Sequence, residues 1–228
     1  MKKERGFTLI ELIVVISIIG VLMGLILPSI SGVIERSKKS AARNCVKKIV
    51  DAYLMYREDK GGFVKTDGGS MGNIKDFALT LAREGLLNDP NCYVFASDAK
   101  AQSINKVKKN TIVHGDGITE VDCWGNSSGL DDSFSVLIAI DVPDSCQPNT
   151  TPIIWTRGLG EGGAWSDNSV FGKKGGFIAF LDGQVKWFDN VTNKLMKYDM
   201  TGTVSKIMDA LPAGCRILKG GGYENVSH

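Results

Sequence analysis

The stretch RGFTLIELIVVISIIG, residues 5–20, sets one carboxylate, Glu11, inside an otherwise apolar run. Followed on to Leu27, the run carries no other charge. As a helix, residues 7–27 would reach about 31 Å, the depth of a bilayer's hydrocarbon layer. A cleaved secretory signal has a shorter apolar region, roughly 7 to 15 residues, followed by a small-x-small site. Here the run is longer and ends in Leu27-Pro28 without such a site. A plain membrane anchor leaves Glu11 unexplained, because an ionised carboxylate in lipid is costly unless a cation meets it. The blander alternative is that Glu11, near one end of the span, sits at the lipid headgroups.

Taken together, residues 2–28, KKERGFTLIELIVVISIIGVLMGLILP, resemble the amino-terminal signal of type IV pilins and type II secretion pseudopilins. The resemblance implies cleavage by a prepilin peptidase between Gly6 and Phe7, N-methylation of Phe7, and a basic leader made of Lys2, Lys3 and Arg5. It also supplies a counterion for Glu11: the amine created at Phe7 of a neighbouring subunit, so that two charges that each oppose burial are buried together. Gly20 and Gly24 form a Gly-x-x-x-Gly pair that lets helices approach closely in lipid, and Pro28 lacks a helical amide donor, which predicts a loosened turn over 24–28. With Glu11 they are the expected assembly residues. Arg36, Lys38, Lys39, Arg43, Lys47 and Lys48 follow the span and outnumber the leader's cations, so the positive-inside count alone leaves orientation open. The family resemblance places the amino terminus inside and the remainder outside the cytoplasm.

Beyond the span, Ile30, Ile34, Ala41, Cys45, Ile49, Tyr53 and Tyr56 recur at three- or four-residue steps among basic residues. That period predicts an amphipathic helix continuing the first one. The expected organisation is a leader at 1–6, a transmembrane half-helix at 7–28, a stem helix at 29–59 and a head at 60–228. The glycine-rich stretch DKGGFVKTDGGSMGN, 59–73, ends the stem. A short helix follows, with Asn73 as N-cap, Ile74, Phe77, Ala78 and Leu81 on its apolar face and Gly85 at its end.

Strand candidates lie at 134–140, 153–156, 177–181 and 184–188, the last two joined at Asp182-Gly183. A two-residue turn there pairs Leu181 with Gln184, Phe180 with Val185 and Ile178 with Trp187. The fold class is therefore α+β: a long amino-terminal helix packed on an antiparallel sheet. Residues 155–165 and 171–188 also resemble the carboxyl-terminal part of large pilin-like families, which carry a histidine where this chain has Gly172.

The 27 Lys plus Arg against 25 Asp plus Glu leave a net charge of +2, so no basic field calls for nucleic acid. With only His114 and His228, no nucleophile motif and no phosphate-cradling loop, the sequence offers no catalytic constellation, and no cofactor is expected. His114, in VHGDG, reads as a turn residue. Ca2+ is the one ion the carboxylates could hold, at Asp131 with Asp132 or at Asp182 with Asp189; against this, turn capping is the ordinary work of such aspartates. Five cysteines without metal-ligand spacing point to disulfides outside the cytosol, Cys123 with Cys146 being the first pairing to consider. Cys45 reads either as a small buried hydrophobe or as a link from stem to head.

The function these features describe is a filament subunit of a type IV pilus-like fibre or a secretion pseudopilus. Its partners would be the prepilin peptidase, other pilin or pseudopilin subunits, an inner-membrane assembly platform and, before assembly, lipid. The alternative is a minor pilin-like binding module whose head recognises a secreted substrate, a surface or DNA.

Overall fold

The structure, a computed structural model, describes residues 7–62, 71–104, 109–124 and 131–227, with the side chains at 25–31 and 131 outside the description. It divides into two units, Met1–Ser40 and Ala41–His228. The first is helical: helix α1 runs Leu9–Lys60, and its helical assignment passes unbroken through the backbone at 24–28, where Pro28 predicted a loosened turn. The apolar side chains described in this unit stand in solvent, Phe7 79% exposed, Ile10 70% and Val21 68%.

In the second unit the outer part of α1 shares one core with the sheet. The buried positions on it are Ala42, Val46, Ile49, Val50, Ala52, Tyr53 and Tyr56. Ala41 is exposed and Cys45 only half-buried, so the stripe is turned by one residue from the expected phase over its first two turns. Both phases repeat at helical spacing. The head selects the one that offers Val46 to its core.

Helix α2, Ile74–Arg83, starts where Asn73 accepts a hydrogen bond from the Asp76 amide at 3.0 Å, and Gly85 follows it in the left-handed region at φ 73°. Helix α3 is a single short turn and a half, Ala99–Ile104. The described residues of this unit also form eight strands: β1 Val136–Ile140, β2 Pro152–Thr156, β3 Gly176–Phe180, β4 Val185–Phe188, β5 Leu195–Met196, β6 Thr203–Val204, β7 Arg216–Leu218 and β8 Tyr223–Asn225. Six of them form an antiparallel sheet in the order β4-β3-β2-β1-β7-β8, and β5 with β6 makes a separate ribbon. All five residues of β2 and of β3 are buried. Neighbours along a strand point to opposite faces, so both faces of the sheet are covered there.

A relay of aromatic rings ties the stem to the sheet. Tyr53 on α1 meets Phe77 on α2 at 6.1 Å between centroids; Tyr93 lies 6.5 Å further, Trp124 5.8 Å beyond it, and Phe134 ends the relay at 5.1 Å. The last three contacts are edge-to-face, the arrangement that ring quadrupoles favour. Salt bridges at the margin, Arg57 to Asp144 at 2.5 Å and Lys60 to Glu84 at 3.1 Å, orient the stem and add little energy.

The β3–β4 hairpin corrects the expected register by one residue. Ala179 pairs with Val185, Ile178 with Lys186 and Phe177 with Trp187. The loop is Leu181-Asp182-Gly183: the Phe180 amide donates to the Gln184 carbonyl at 3.0 Å, and Gly183 takes φ 81° while its amide donates to the Phe180 carbonyl. Three-residue hairpin loops place a left-handed residue at that point. Contacts outside the hairpin hold this choice, since Lys47 on α1 donates to the Gly183 carbonyl at 3.1 Å and the Asp182 amide to the Pro148 carbonyl at 2.8 Å.

Candidate functional site

At the start of α1 the structure adds a partner that the sequence reading missed. The Glu11 carboxylate accepts hydrogen bonds from the Thr8 amide at 2.8 Å and the Thr8 hydroxyl at 2.7 Å, while the Glu11 amide donates back to the Thr8 oxygen at 3.3 Å. This is a capping box, in which a hydroxyl residue and a carboxylate three positions later satisfy orphan helix donors reciprocally. The Thr-x-x-Glu spacing at 8–11 was the available signal. The carboxylate is thereby fixed at the first turn, close in sequence to Phe7, with its charge still uncompensated by any cation among the described residues.

Further along, an added Cβ at Gly20 or Gly24 would meet nothing within 4 Å. Neither glycine is demanded by the folded monomer, so any need for one must come from another molecule. Ser17 turns its hydroxyl back to the Ile13 carbonyl at 2.7 Å, leaving no polar group reaching outward at that turn. Among the described residues no helix is long and apolar enough to cross a membrane. The helical positions with described side chains in the expected span end at Gly24, about 22 Å from Leu9. Gly6 lies outside the described residues.

The head residues singled out by sequence are not brought together. Asp182 accepts from the Gln184 amide at 2.9 Å within the hairpin loop, and Asp189 accepts from the Trp187 indole N–H at 2.9 Å. Asp132 pairs with Lys100 and with Arg157 at 3.1 Å. Among the described residues no three His, Cys, Asp or Glu side chains converge, and these carboxylates cap turns or pair with cations. Gly172 sits at φ 61° in a turn that the Ser169 hydroxyl closes by donating to its carbonyl at 2.6 Å.

All five cysteines are free thiols, and the Cys123–Cys146 link is not formed. Cys123 lies with Lys75 and Leu79 of α2, whereas Cys146 lines a cavity with Leu54 and Arg57 of α1. Cys45 is the cysteine that comes beside another: its thiol reaches the carbonyl of Asn91, the residue before Cys92, at 3.9 Å.

His114 stands in a turn, donating its amide to the Thr119 carbonyl at 2.9 Å. Asp116 closes that turn. Its carboxylate is held down to a pKa of about 2 by the Thr119 hydroxyl and by the Ile118 and Thr119 amides. A carboxyl lowered on folding contributes above its unfolded value, about 3.9, and that contribution is lost as pH falls through the folded one. Carbon-13 NMR titration should therefore give an Asp116 midpoint near 2, together with loss of the Ile118 and Thr119 amide shifts. A midpoint near the unfolded value would show that the turn does not hold.

Residues 1–27 match the family described as the prokaryotic N-terminal methylation motif. That match covers the amino-terminal segment of the chain. Among individual proteins the chain is 40% identical over 67 residues to the type II secretion system core protein G of Escherichia coli K12, across 29% of this chain and 46% of that one. It is 32% identical over 74 residues to core protein G of Pseudomonas aeruginosa, across 32% and 52%. With the fimbrial protein EcpC of Eikenella corrodens it shares 43% over 58 residues, across 25% and 38%. The chain thus spans about half the length, or less, of these curated relatives. No solved structure matches it.

Proposed function

We propose that this chain is the structural subunit of a filament, a type IV pilus-like fibre or a secretion pseudopilus, that polymerises through α1. The observation that carries the reading is the first unit of the structure: a helix whose apolar side chains, from Phe7 to Met23, are exposed on every side. A helix that is hydrophobic all round must be covered by lipid or by other helices. Its one carboxylate, already oriented by Thr8, is placed to meet a single added cation. Cleavage at Gly6 by a prepilin peptidase supplies such a cation at Phe7, and N-methylation keeps that amine positively charged. The chain waits in the inner membrane with its head outside the cytoplasm. An assembly platform then adds it to the fibre base, where the Glu11 carboxylate of one copy pairs with the Phe7 amine of the next and Gly20 and Gly24 admit close helix contact.

Processing is tested by expressing the full chain with and without a prepilin peptidase and measuring intact mass. The expected product lacks residues 1–6 and gains one methyl group at Phe7. A chain that still begins at Met1 in the presence of an active peptidase rejects the reading.

A further inference from the structure

Two cysteines that lie far apart in sequence meet where the stem rests on the head. Cys45 projects from α1 one residue before the buried Val46, with its sulfur 3.9 Å from the Asn91 carbonyl oxygen. Cys92 is fully buried at the end of a one-turn 3-10 helix, Pro90–Cys92. Both cysteines stand on helical turns. Asp89 caps that turn by accepting from the Asn91 amide at 3.0 Å, and its second oxygen is 3.5 Å from the Cys92 sulfur and 3.6 Å from the Lys48 ammonium.

We propose that Cys45 and Cys92 are a redox-active pair that a small-molecule or protein disulfide oxidises to a cystine, stapling the stem helix to the head. The closed loop would hold the outer end of α1, the glycine-rich stretch at 61–73 and α2. A stem that carries its subunit into a fibre by its inner half would then stay packed against its head when the fibre is pulled. This inference rests on the reading that places the head outside the cytoplasm, where disulfide donors persist.

The exchange balances without another reactant. Cys45 gives up its proton, and its thiolate attacks one sulfur of the donor disulfide, expelling the first donor thiol and leaving a mixed disulfide on Cys45. The Cys92 thiolate attacks that Cys45 sulfur and expels the second. Two protein thiols lose two protons and two electrons, and the donor is reduced to two thiols. The order follows from the environment: the neighbouring Cys92 side chain draws the Cys45 thiol below its ordinary value against the opposing effects of burial and of Asp89. The Cys45 side chain, and then burial, push Cys92 up. Cys45 is the half-exposed member, open to a donor.

The test uses the full chain in detergent, incubated with glutathione disulfide, its remaining thiols alkylated in acid and its peptides mapped by mass without reduction. A Cys45–Cys92 peptide is the expected result, with a melting temperature that falls by about 10 °C on adding dithiothreitol. That fall should vanish in Cys45→Ser and in Cys92→Ser and persist in Cys123→Ser. Alkylated Cys45 and Cys92, or Cys92 bonded to a different cysteine, overturns the inference. The same map on chain extracted directly into alkylating agent reads the compartment separately. A pair that forms with glutathione disulfide but is reduced in cells supports the pair and counts against a head outside the cytoplasm.

Discussion

Replacing Glu11 by alanine is expected to abolish filaments while leaving a chain that is processed and folded. Glu11 is exposed in the monomer and, among the described residues, is hydrogen-bonded to Thr8 alone, so its loss frays one helix end and leaves the head, whose core begins at Ala42, unchanged. In the fibre the same change would strand a desolvated amine on the neighbouring copy. Stranding one member of a buried pair corresponds to lowering the constant for subunit addition roughly a hundredfold or more. Glu11→Gln separates the two jobs of the side chain, because an amide oxygen can still accept from Thr8 but carries no charge. Filament yield by electron microscopy, with Phe7 processing followed by mass, is the measurement. If Glu11→Gln builds fibres as numerous and as long as the wild type, pairing with the amine is not what drives assembly.

The largest expected loss of stability lies in the head, at Asp98. Arg157 follows β2 and is only 4% exposed; it donates to Asp98 at 2.7 Å, to Asp132 at 3.1 Å and to the Asn168 carbonyl at 2.6 Å. Asp98, 2% exposed, also accepts from the Ala101 amide at 3.1 Å in the first turn of α3. Asp98→Ala removes the buried partner of a buried guanidinium and a helix cap together. A loss of about 3 to 5 kcal/mol is expected from the broken pair. Asp98→Asn, which keeps a cap acceptor, should cost less. Urea unfolding of the full chain in detergent, followed by tryptophan fluorescence, reads both variants. A loss below about 1 kcal/mol for the alanine variant would mean that Asp132 and the Asn168 carbonyl suffice for Arg157.

Both predictions concern charges, yet only one of them was legible in the sequence. Glu11 stands out because a lone carboxylate in an apolar run has no local explanation. Arg157 and Asp98 are unremarkable until the fold brings them together, for their separation along the chain hides the pairing. Burial alone distinguishes this ion pair from the many on the surface. The strands behaved similarly. Those at β1 to β4 were visible as apolar runs, while β7 and β8, three residues each, are too short to show an alternation, although β7 pairs directly with β1 in the sheet.

By itself the sequence determined what repeats locally: the long helix, its apolar inner half with one carboxylate, the cap at Asn73 and the existence of a hairpin at Asp182-Gly183. Each depends on residues within a few positions of one another, where side-chain spacing translates directly into a face or a turn. Tertiary structure decided the phase of the stem stripe, the hairpin's three-residue loop and the meeting of Cys45 with Cys92. In each of those cases at least two local solutions were open, a face turned by one residue, a loop longer by one, or a different thiol partner. Contacts from distant segments, such as Lys47 on the Gly183 carbonyl and the 3-10 turn of Pro90–Cys92 beneath Cys45, select among them.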